Sequence, residues 1–508
     1  MEDTIKESLS DALSPMLETK TDVDGDGEKG HHRSSSSLSD FTLFEIHDKE
    51  IKEQDPMEDN VIPMGTLVVA ADHDKLKGQL HESIEEFDFE DDGTFKCSNW
   101  AGKRYYSDYI KAGIEYKQTK DPNYIPHNDV VMLFESPSSS ATDSSFHNAS
   151  KYRFHDWPPP KSSKSKGILG PNRYASMNGT SYPVFLREGA PPPGLLEHWA
   201  SVIPDFVTPR FVDKIETNEN TVYAYLPVEQ LKYHVNDPDT HFHLAGKDAI
   251  HLMTQKTTKL LPDTRTKRPC VVKTTHSMGS KGIFIISDDE DEREFEQFLD
   301  DAGHPSYVVV DFVDISRNVA CHFFMHPNGS IVWFGSNENH REPDGKFSSD
   351  SYLLMEHQET LKEMQLPFVE EVVRYCRAMN FWGFCGIDVL FDSSGAGYLV
   401  DINPRVTGSC PALMTLHKFK MAYGFDVGLF RRSGDINYFG SSSQLLEEVA
   451  QYNEQHKGES SIVIHSMFES EKDGVKTGIT RINIGVYGKN LGECKAVLNS
   501  FAKPAKAV

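Results

Sequence analysis

The sequence predicts a mixed α/β chain of the α+β type, and three observations support this prediction. Short apolar runs such as 66–70 and 129–134 are typical of buried strands. Residues 359–380 carry apolar side chains at helical spacing, which indicates a long amphipathic helix. The 508 residues are enough for three or four folding units of about 150 residues each. We therefore expect strands and helices to alternate along most of the chain.

Composition excludes several classes of function. The net charge is −25, which argues against general binding to nucleic acid or to anionic membranes. No run approaches the roughly 18–20 apolar residues that cross a bilayer, and residues 1–20 lack the pattern of a secretory signal. The seven cysteines form no CxxC pair, which fits reduced thiols better than disulfides or a zinc knuckle. We expect a cytoplasmic protein without nucleic-acid or membrane partners; a homodimer is left open.

Changes in composition predict four regions. Residues 1–60 contain 17 acidic and 6 basic side chains, a net charge of −11, and are expected to be a disordered acidic tail. Residues 61–245 are expected to form an α/β N-terminal domain with a mobile insertion at 136–166, which is rich in Ser, Pro and Lys. Residues 246–430 show the clearest alternation of strands and helices. Residues 431–508 are predicted to be a C-terminal α+β extension.

The elements after residue 246 follow from periodicity. The predicted helices are 247–261, 291–301, 359–380 and one from about 490. The predicted strands are 270–273, 283–286, 307–313, 319–325, 331–334, 386–391, 397–402, 461–468 and 479–487.

The most informative stretch is 386–409, where two apolar runs flank the turn sequence Asp392-Ser-Ser-Gly-Ala-Gly. This pattern predicts a β-hairpin. A turn centred between residues 394 and 395 places Asp388 directly opposite Asp401 on the neighbouring strand.

Asn403 follows Asp401 by two residues and therefore points to the same face of the strand. Two carboxylates and an amide oxygen on one face suit a hard cation such as Mg²⁺, which often completes its ligand shell with phosphate oxygens. Taken alone, the segment is equally compatible with a structural hairpin in which one aspartate faces solvent.

A second segment, 270–287, contains a strand that ends near Lys273, then a loop with Gly279, Ser280 and Gly282, then another strand. Such a loop can offer backbone N–H groups to phosphates, and a strand lysine can contact them as a point charge. It is not a P-loop, because Lys281 is followed by glycine. A flexible hairpin with a surface lysine is the alternative.

A third segment, 307–325, is an apolar strand that runs through Asp311-Phe312-Val313 into a second strand. A connection of this kind can present backbone groups to an adenine edge and apolar walls to its faces.

In this order and spacing, the three segments resemble the ATP-grasp superfamily, in particular its carboxylate–amine ligase-like branch. The hairpin matches the D…(E/D)-x-N-P-R metal-binding signature of that family, and the resemblance covers about 247–410. It implies two α+β subdomains that clamp ATP, with 61–245 standing in the position of the α/β domain that precedes them.

The resemblance assigns roles to individual residues. Those it assigns to the nucleotide are Lys247, Lys273, Gly279, Ser280, Gly282, Asp311, Phe312, Val313 and Asn318. Asp388, Asp401 and Asn403 resemble the ligands of Mg²⁺, for which Mn²⁺ could substitute. Aspartate at 401 stands where glutamate is usual, and Asn318 stands where the family often has Glu or His.

Arg405 resembles the arginine that offsets developing negative charge in these enzymes, and its planar fork suits an acyl phosphate. The D-alanine ligase branch instead has an arginine two residues before the first acidic ligand, where this chain has Gly386. The sequence therefore favours the branch that includes amino-acid ligases and biotin carboxylase.

The implied activity is ATP-dependent activation of a carboxylate as an acyl phosphate, with Lys273 and Arg405 in catalytic roles, followed by attack of an amine. The partners are thus a small carboxylate and a small amine. A carboxylase is the first alternative, and a nucleotide-binding regulatory protein without turnover is the second. Residues weighed as substrate contacts, against the alternative of a polar loop, are Glu338, His340, Arg341, Thr407, Gly408 and Ser409.

Overall fold

The computed structural model describes residues 68–69, 95–124, 129–137, 146–155, 163–278, 282–340, 350–472 and 475–504. All of these lie in one compact unit, Ile62–Val508. The predicted tail 1–60 lies outside the described residues, as do 138–145 and 156–162 of the predicted insertion. Within the ranges described, no helix is long and apolar enough to cross a membrane.

Helices and strands alternate in the described chain, which confirms the mixed α/β prediction. The helices are α1 (Tyr106–Lys120), α2 (Ser163–Ala175), α3 (Pro193–Val202), α4 (Pro238–Leu244), α5 (Ile250–Met253), α6 (Asp289–Ala302), α7 (Gln358–Ala378), α8 (Cys410–Tyr423), α9 (Ser442–Gln455) and α10 (Leu491–Phe501). The strands are β1 (Val68–Val69), β2 (Lys96–Asn99), β3 (Val130–Leu133), β4 (Val184–Phe185), β5 (Phe211–Val212), β6 (Thr221–Ala224), β7 (Tyr233–His234), β8 (Leu260–Leu261), β9 (Cys270–Thr274), β10 (Ile283–Ile286), β11 (Tyr307–Asp311), β12 (Ile315–Met325), β13 (Ile331–Asn339), β14 (Asp350–Leu354), β15 (Gly383–Asp392), β16 (Gly397–Asn403), β17 (Val427–Phe439), β18 (Ser460–Lys472), β19 (Val475–Gly488) and β20 (Lys503–Pro504).

The N-terminal sheet is parallel, with strand order β5-β4-β3-β6-β7. Its strands therefore end at a common edge, where Tyr225 directly follows β6. The alternation along β6 places Val222 and Ala224 in one apolar cluster and Tyr223 in another. Both faces of the sheet are thus covered, as is usual for parallel sheets.

A small antiparallel sheet follows, with strand order β10-β9-β11-β8. Helix α6 covers it, and Phe295 and Phe298 of that helix pack with Cys270 and Val272 of β9. Helix α6 begins at Asp288, whose side chain accepts hydrogen bonds from the backbone of Glu290 and Asp291.

A large sheet forms the rest of the unit, with the order β16-β15-β12-β13-β14-β17-β19-β18 along its main path. Residues 312–314 link β11 of the small sheet to β12 of the large one. The large sheet is packed beneath α7, the helix predicted at 359–380, whose Val369 and Val372 are fully buried. Strand β17 runs through residue 430, and the domain boundaries remain predictions.

Two local expectations are wrong. The helix predicted at 247–261 is limited to α5, because the chain then turns to pair with β16. The carbonyl of Lys256 accepts a hydrogen bond from the backbone of Leu399 at 2.8 Å, and the Thr257 hydroxyl donates to the Leu399 carbonyl at 2.7 Å. The predicted insertion is not wholly loop, since α2 begins inside it at Ser163.

Candidate active site

The β15–β16 hairpin places Asp388 directly opposite Asp401, as the sequence predicts. The turn itself is not where the sequence places it. Phe391 pairs with Gly397, so the turn is centred on Ser394 rather than between residues 394 and 395.

A β-bulge at Val400 corrects the register, because it adds one residue to β16 between Leu399 and Asp401. The bulge residue is also the contact point with the small sheet. Its carbonyl accepts a hydrogen bond from Nζ of Lys273, on β9, at 3.1 Å. The irregularity that aligns the carboxylates therefore also joins them to the predicted nucleotide lysine.

The two carboxylates repel each other. Burial, and next the charge of Asp401, raise the pKa of Asp388 to about 7. A cation between them would relieve this repulsion, so the residues fit the Mg²⁺ that the family resemblance implies. The hairpin offers two carboxylates, and nowhere in the described part of the chain do three or more His, Cys, Asp or Glu side chains converge on a candidate metal site.

Asn403 connects the carboxylates to Arg405. Its Nδ2 donates to Asp388 Oδ2 at 3.4 Å, and its Oδ1 accepts from Nη2 of Arg405 at 2.6 Å. The other side of the guanidinium donates from Nη1 to the Tyr225 hydroxyl at 2.6 Å and lies 4.5 Å from the centre of that ring. Arg405 is thus fixed from two directions, by the hairpin and by the N-terminal sheet.

Two buried lysines face the hairpin. Nζ of Lys247 donates to the Ser277 carbonyl at 3.0 Å and lies 3.8 Å from Asp401 Oδ1. Burial lowers the pKa of Lys273 to about 8, although Asp401 opposes this shift. Buried cations beside carboxylates, where two sheets meet, form a setting that suits a magnesium-bound polyphosphate.

The structure describes one of the three residues predicted to form the phosphate loop, Gly282. Gly279 and Ser280 lie outside the described residues. Gly282 has a φ of 67°, and a Cβ there would lie 2.6 Å from Thr274 Oγ1, so the position requires glycine. The end of the predicted phosphate loop therefore lies against β9, where the Gly282 carbonyl accepts a hydrogen bond from the backbone of Thr274 at 2.8 Å.

The predicted adenine segment joins the two sheets. Asp311 ends β11 and pairs with Lys267 at 3.2 Å, whereas Phe312 and Val313 lie in the link to β12. Asn318 lies on β12 opposite Asn339. A short link between two sheets is suited to act as a hinge around a bound ligand.

Two predicted substrate residues, Glu338 on β13 and His340 just after it, already contact other side chains. Glu338 is buried, and its carboxylate accepts from Nη2 of Arg317 at 2.6 Å and contacts Nδ1 of His357 at 2.9 Å. His340 stacks on Tyr352 with ring centres 3.9 Å apart. Arg341 lies outside the described residues. The assignment of Glu338, His340 and Arg341 to a substrate stays a prediction.

Residues after Arg405 form a buried polar network. His322 lies between Thr407, which contacts its Nδ1, and Ser409, whose Oγ lies 3.1 Å from its Nε2. Ser409 also donates to Asn337 Oδ1 at 2.7 Å. Burial lowers the pKa of His322 to about 4, so the ring is neutral and fixes this loop by hydrogen bonds rather than by charge.

Sequence patterns did not single out four residues of this region, of which Tyr225 contacts Arg405 directly. They are Arg173, Tyr174, Tyr225 and Arg432. Tyr225 continues the alternation of Tyr223 on β6, which is a weak signal that it faces the same side. Arg173 and Arg432 come from α2 and β17, so only the tertiary fold brings them near the hairpin.

Comparison with protein families gives a match over residues 251–403 to the ATP-grasp domain model described as L-aspartate–L-methionine ligase. The matched segment contains Lys273, Asp388, Asp401 and Asn403. This confirms the predicted resemblance to ATP-grasp ligases for the central part of the chain.

Among curated proteins, the chain is similar to the mitochondrial methylcrotonoyl-CoA carboxylase subunit alpha of Rattus norvegicus. The two are 24% identical over 155 residues, which are 27% of this chain and 20% of the relative. The chain thus spans about one fifth of the length of this relative.

Solved structures include partial matches. N5-carboxyaminoimidazole synthetase from Staphylococcus aureus, complexed with ADP, is 14% identical, with a TM-score of 0.43 over 74% of this chain and 97% of that one. An L-amino acid ligase from Bacillus licheniformis is 15% identical, with a TM-score of 0.35 over 53% of this chain and 74% of that one.

Proposed function

We infer that this chain is an ADP-forming ligase that joins a small carboxylate to a small amine, and the match of residues 251–403 to an ATP-grasp domain model supports this. The observation that carries the proposal is the joined set of Asp388, Asp401, Asn403 and Arg405 on one hairpin, with Lys273 bonded to its bulge. Carboxylates for a cation, a lysine for phosphates and a fixed arginine are the components of phosphoryl transfer to a carboxylate.

The first step transfers the γ-phosphoryl group of ATP to the substrate carboxylate. A carboxylate oxygen bonds to the γ-phosphorus, the bond to the β–γ bridging oxygen breaks, and ADP leaves. Lys273 and Lys247 offset phosphate charge from the small-sheet side of the site. Bound Mg²⁺ would be held by Asp388 and Asp401, with Asn403 as a third ligand once its amide oxygen, which accepts from Arg405 here, turns to the ion, and it would supply charge neutralisation and alignment of the phosphates.

The second step forms the amide. The amine attacks the carbonyl carbon of the acyl phosphate, the nitrogen loses a proton, and inorganic phosphate leaves with the electron pair of the C–O bond. Arg405 stabilises the negative charge that develops on the carbonyl and phosphate oxygens. Its contacts with Asn403 and Tyr225 keep the guanidinium in one orientation, so little reorganisation is needed during the reaction.

Phosphate release from MgATP tests the proposal. The full-length chain is incubated with L-aspartate and L-methionine, the substrates in the description of the matched family model, and then with pooled amino acids and small carboxylic acids. We expect release that depends on both a carboxylate and an amine, with a product mass equal to the two substrates minus water. Release with bicarbonate alone would indicate a carboxylase, and ATP binding without release from any mixture would overturn the ligase proposal.

A further inference from the structure

Arg432 is a positive charge that the proposed steps do not use. It lies on β17, and its guanidinium packs on the backbone of Gly408, three residues after Arg405. A Cβ at Gly408 would lie 1.3 Å from Nη1 of Arg432, so any other residue at 408 would displace this guanidinium. Arg432 keeps part of its surface accessible to solvent although protein surrounds its guanidinium, and it has no hydrogen-bond or ion-pair partner among the described residues.

Arg173 is a second unused positive charge. Its side chain is buried at 8% exposure, its Nη2 donates to the Tyr174 hydroxyl at 2.9 Å, and its Nε has no partner among the described residues. The Tyr174 hydroxyl lies 3.3 Å from the hydroxyl of Tyr225, which in turn binds Arg405. A chain of contacts therefore runs from Arg173 to the predicted catalytic arginine.

The two arginines act on each other. Desolvation, and next the charge of Arg173, lower the pKa of Arg432, whereas Tyr174 and the charge of Asp388 oppose this shift. Although burial opposes it, the charges of Arg173 and Arg405 lower the pKa of Tyr174. Placing like charges together costs free energy, and no carboxylate within the described ranges forms an ion pair with either arginine. An anionic ligand would offset this cost.

We propose that Arg173 and Arg432 bind a substrate carboxylate other than the one that is phosphorylated. This inference rests on the proposed function, since it names the substrate group that lies beyond Arg405. The phosphates of ATP are assigned to lysines of the small-sheet side, whereas these arginines come from α2 and β17. A guanidinium binds a carboxylate through two parallel hydrogen bonds, and Arg173 lies 4.7 Å from the centre of the Tyr174 ring, which packs against Tyr225 at 5.4 Å.

Two sources supply such a carboxylate. It belongs either to the side chain of the activated donor, as in L-aspartate, or to the α-carboxylate of the amine acceptor, as in L-methionine. Replacing each by its uncharged amide, L-asparagine or L-methioninamide, distinguishes the two sources without changing the shape of the molecule greatly.

The test measures binding, which does not require turnover. Thermal unfolding of the full-length chain with MgADP is followed while L-aspartate, L-methionine, their amides and a pool of small dicarboxylates are added in turn. For the carboxylates that stabilise the wild type, Kd is then measured for Arg432→Met and Arg173→Met. Arg374→Met on α7 is the matched control, since this arginine is exposed and pairs with Glu370 at 3.7 Å on the helix surface.

We expect at least one carboxylate to bind about tenfold or more weakly to Arg432→Met, while ADP binds equally and Arg374→Met behaves as wild type. The uncharged amide of that carboxylate should bind the wild type as weakly as the carboxylate itself binds Arg432→Met. If Arg173→Met does not fold, Arg432→Met and Arg432→Lys decide the question alone.

Failure of this inference is separable from failure of the ligase proposal. Carboxylate binding that depends on Arg432, without phosphate release, would retain the site and overturn the ligase proposal. Ligase turnover with unchanged carboxylate affinity in Arg432→Met would retain the activity and overturn this site. If no carboxylate stabilises the wild type more than Arg432→Met, the site is also overturned.

Discussion

Asp388 and Asp401 face each other across neighbouring strands, in a position where like charges destabilise a sheet. Burial and this repulsion raise the pKa of Asp388 to about 7, so the pair is unfavourable for the fold on its own. Groups that cost stability and converge on one face are typical of a functional site rather than a structural one.

The first prediction concerns Asp401→Asn. Removing one charge ends the repulsion with Asp388 but also removes the carboxylate that faces Lys247 at 3.8 Å and Lys273, so the midpoint temperature of unfolding of the nucleotide-free chain should change little. The same change should lower turnover by about two orders of magnitude or more, because a ligand of the proposed Mg²⁺ site is lost. Thermal unfolding and phosphate release on one preparation measure both effects.

Asp300→Asn is the control for this change, since Asp300 is exposed on α6 and its carboxylate lies 3.4 Å from His304. It should alter neither turnover nor the dependence of turnover on Mg²⁺ concentration. Wild-type activity in Asp401→Asn would remove the metal assignment from the hairpin.

The second prediction concerns Arg405→Met. Because Arg405 is expected to stabilise charge that develops during the reaction, kcat should fall by about a hundredfold or more, whereas the Kd of ATP should change by less than about threefold. Equal losses in kcat and in ATP affinity would show instead that Arg405 binds the ground-state nucleotide.

The hairpin site was predictable because its residues are local in sequence. Asp388, Asp401, Asn403 and Arg405 lie within eighteen residues, and strand alternation places Asp401 and Asn403 on one face, whereas the alignment of Asp388 with Asp401 depends on the bulge. The bulge at Val400 was not predictable, since apolar runs carry no signal for one extra residue in a strand.

The arginines of the proposed anion site were not predictable for a different reason. Arg173 and Arg432 are separated by more than half the chain, and each stands alone among residues that read as ordinary helix or strand. Their proximity follows from the packing of α2 against β17 and β18, which is a tertiary relationship. Short-range patterns also missed the pairing of residues 256–257 with β16. This pairing takes the place of the second half of the helix predicted at 247–261.

The third prediction is a loss of stability at acidic pH that depends on His198. This histidine is buried, and its Nε2 accepts a hydrogen bond from the backbone N–H of Ile464 at 2.9 Å, which requires the neutral ring. Burial lowers its pKa to about 4 in the folded protein, compared with about 6.5 in the unfolded chain. The contribution of the neutral His198 ring to the free energy of unfolding is complete above pH 6.5. It declines as the pH falls towards 4, by about 1.4 kcal/mol per pH unit.

His198→Gln keeps an acceptor but cannot be protonated, so it should lose less midpoint temperature between pH 7 and pH 5 than the wild type. His304→Asn is the control, because His304 is exposed and has a φ of 53°, which asparagine tolerates. Equal losses in wild type and His198→Gln would show that other groups determine the acid sensitivity.

The fourth prediction tests how Gly386 supports the loop after Arg405. A Cβ at Gly386 would lie 2.4 Å from Cγ2 of Thr407 and 3.1 Å from the Cys321 carbonyl oxygen. Gly386→Ala should therefore destabilise the fold by about 1–3 kcal/mol and lower kcat, because Thr407 must move and its contact with His322 is disturbed. Adding Thr407→Ser removes only the clashing methyl group and keeps the hydroxyl, so the double variant should recover part of both losses. Additive losses in the double variant would show that the Cys321 carbonyl, and not Thr407, limits the space at this position.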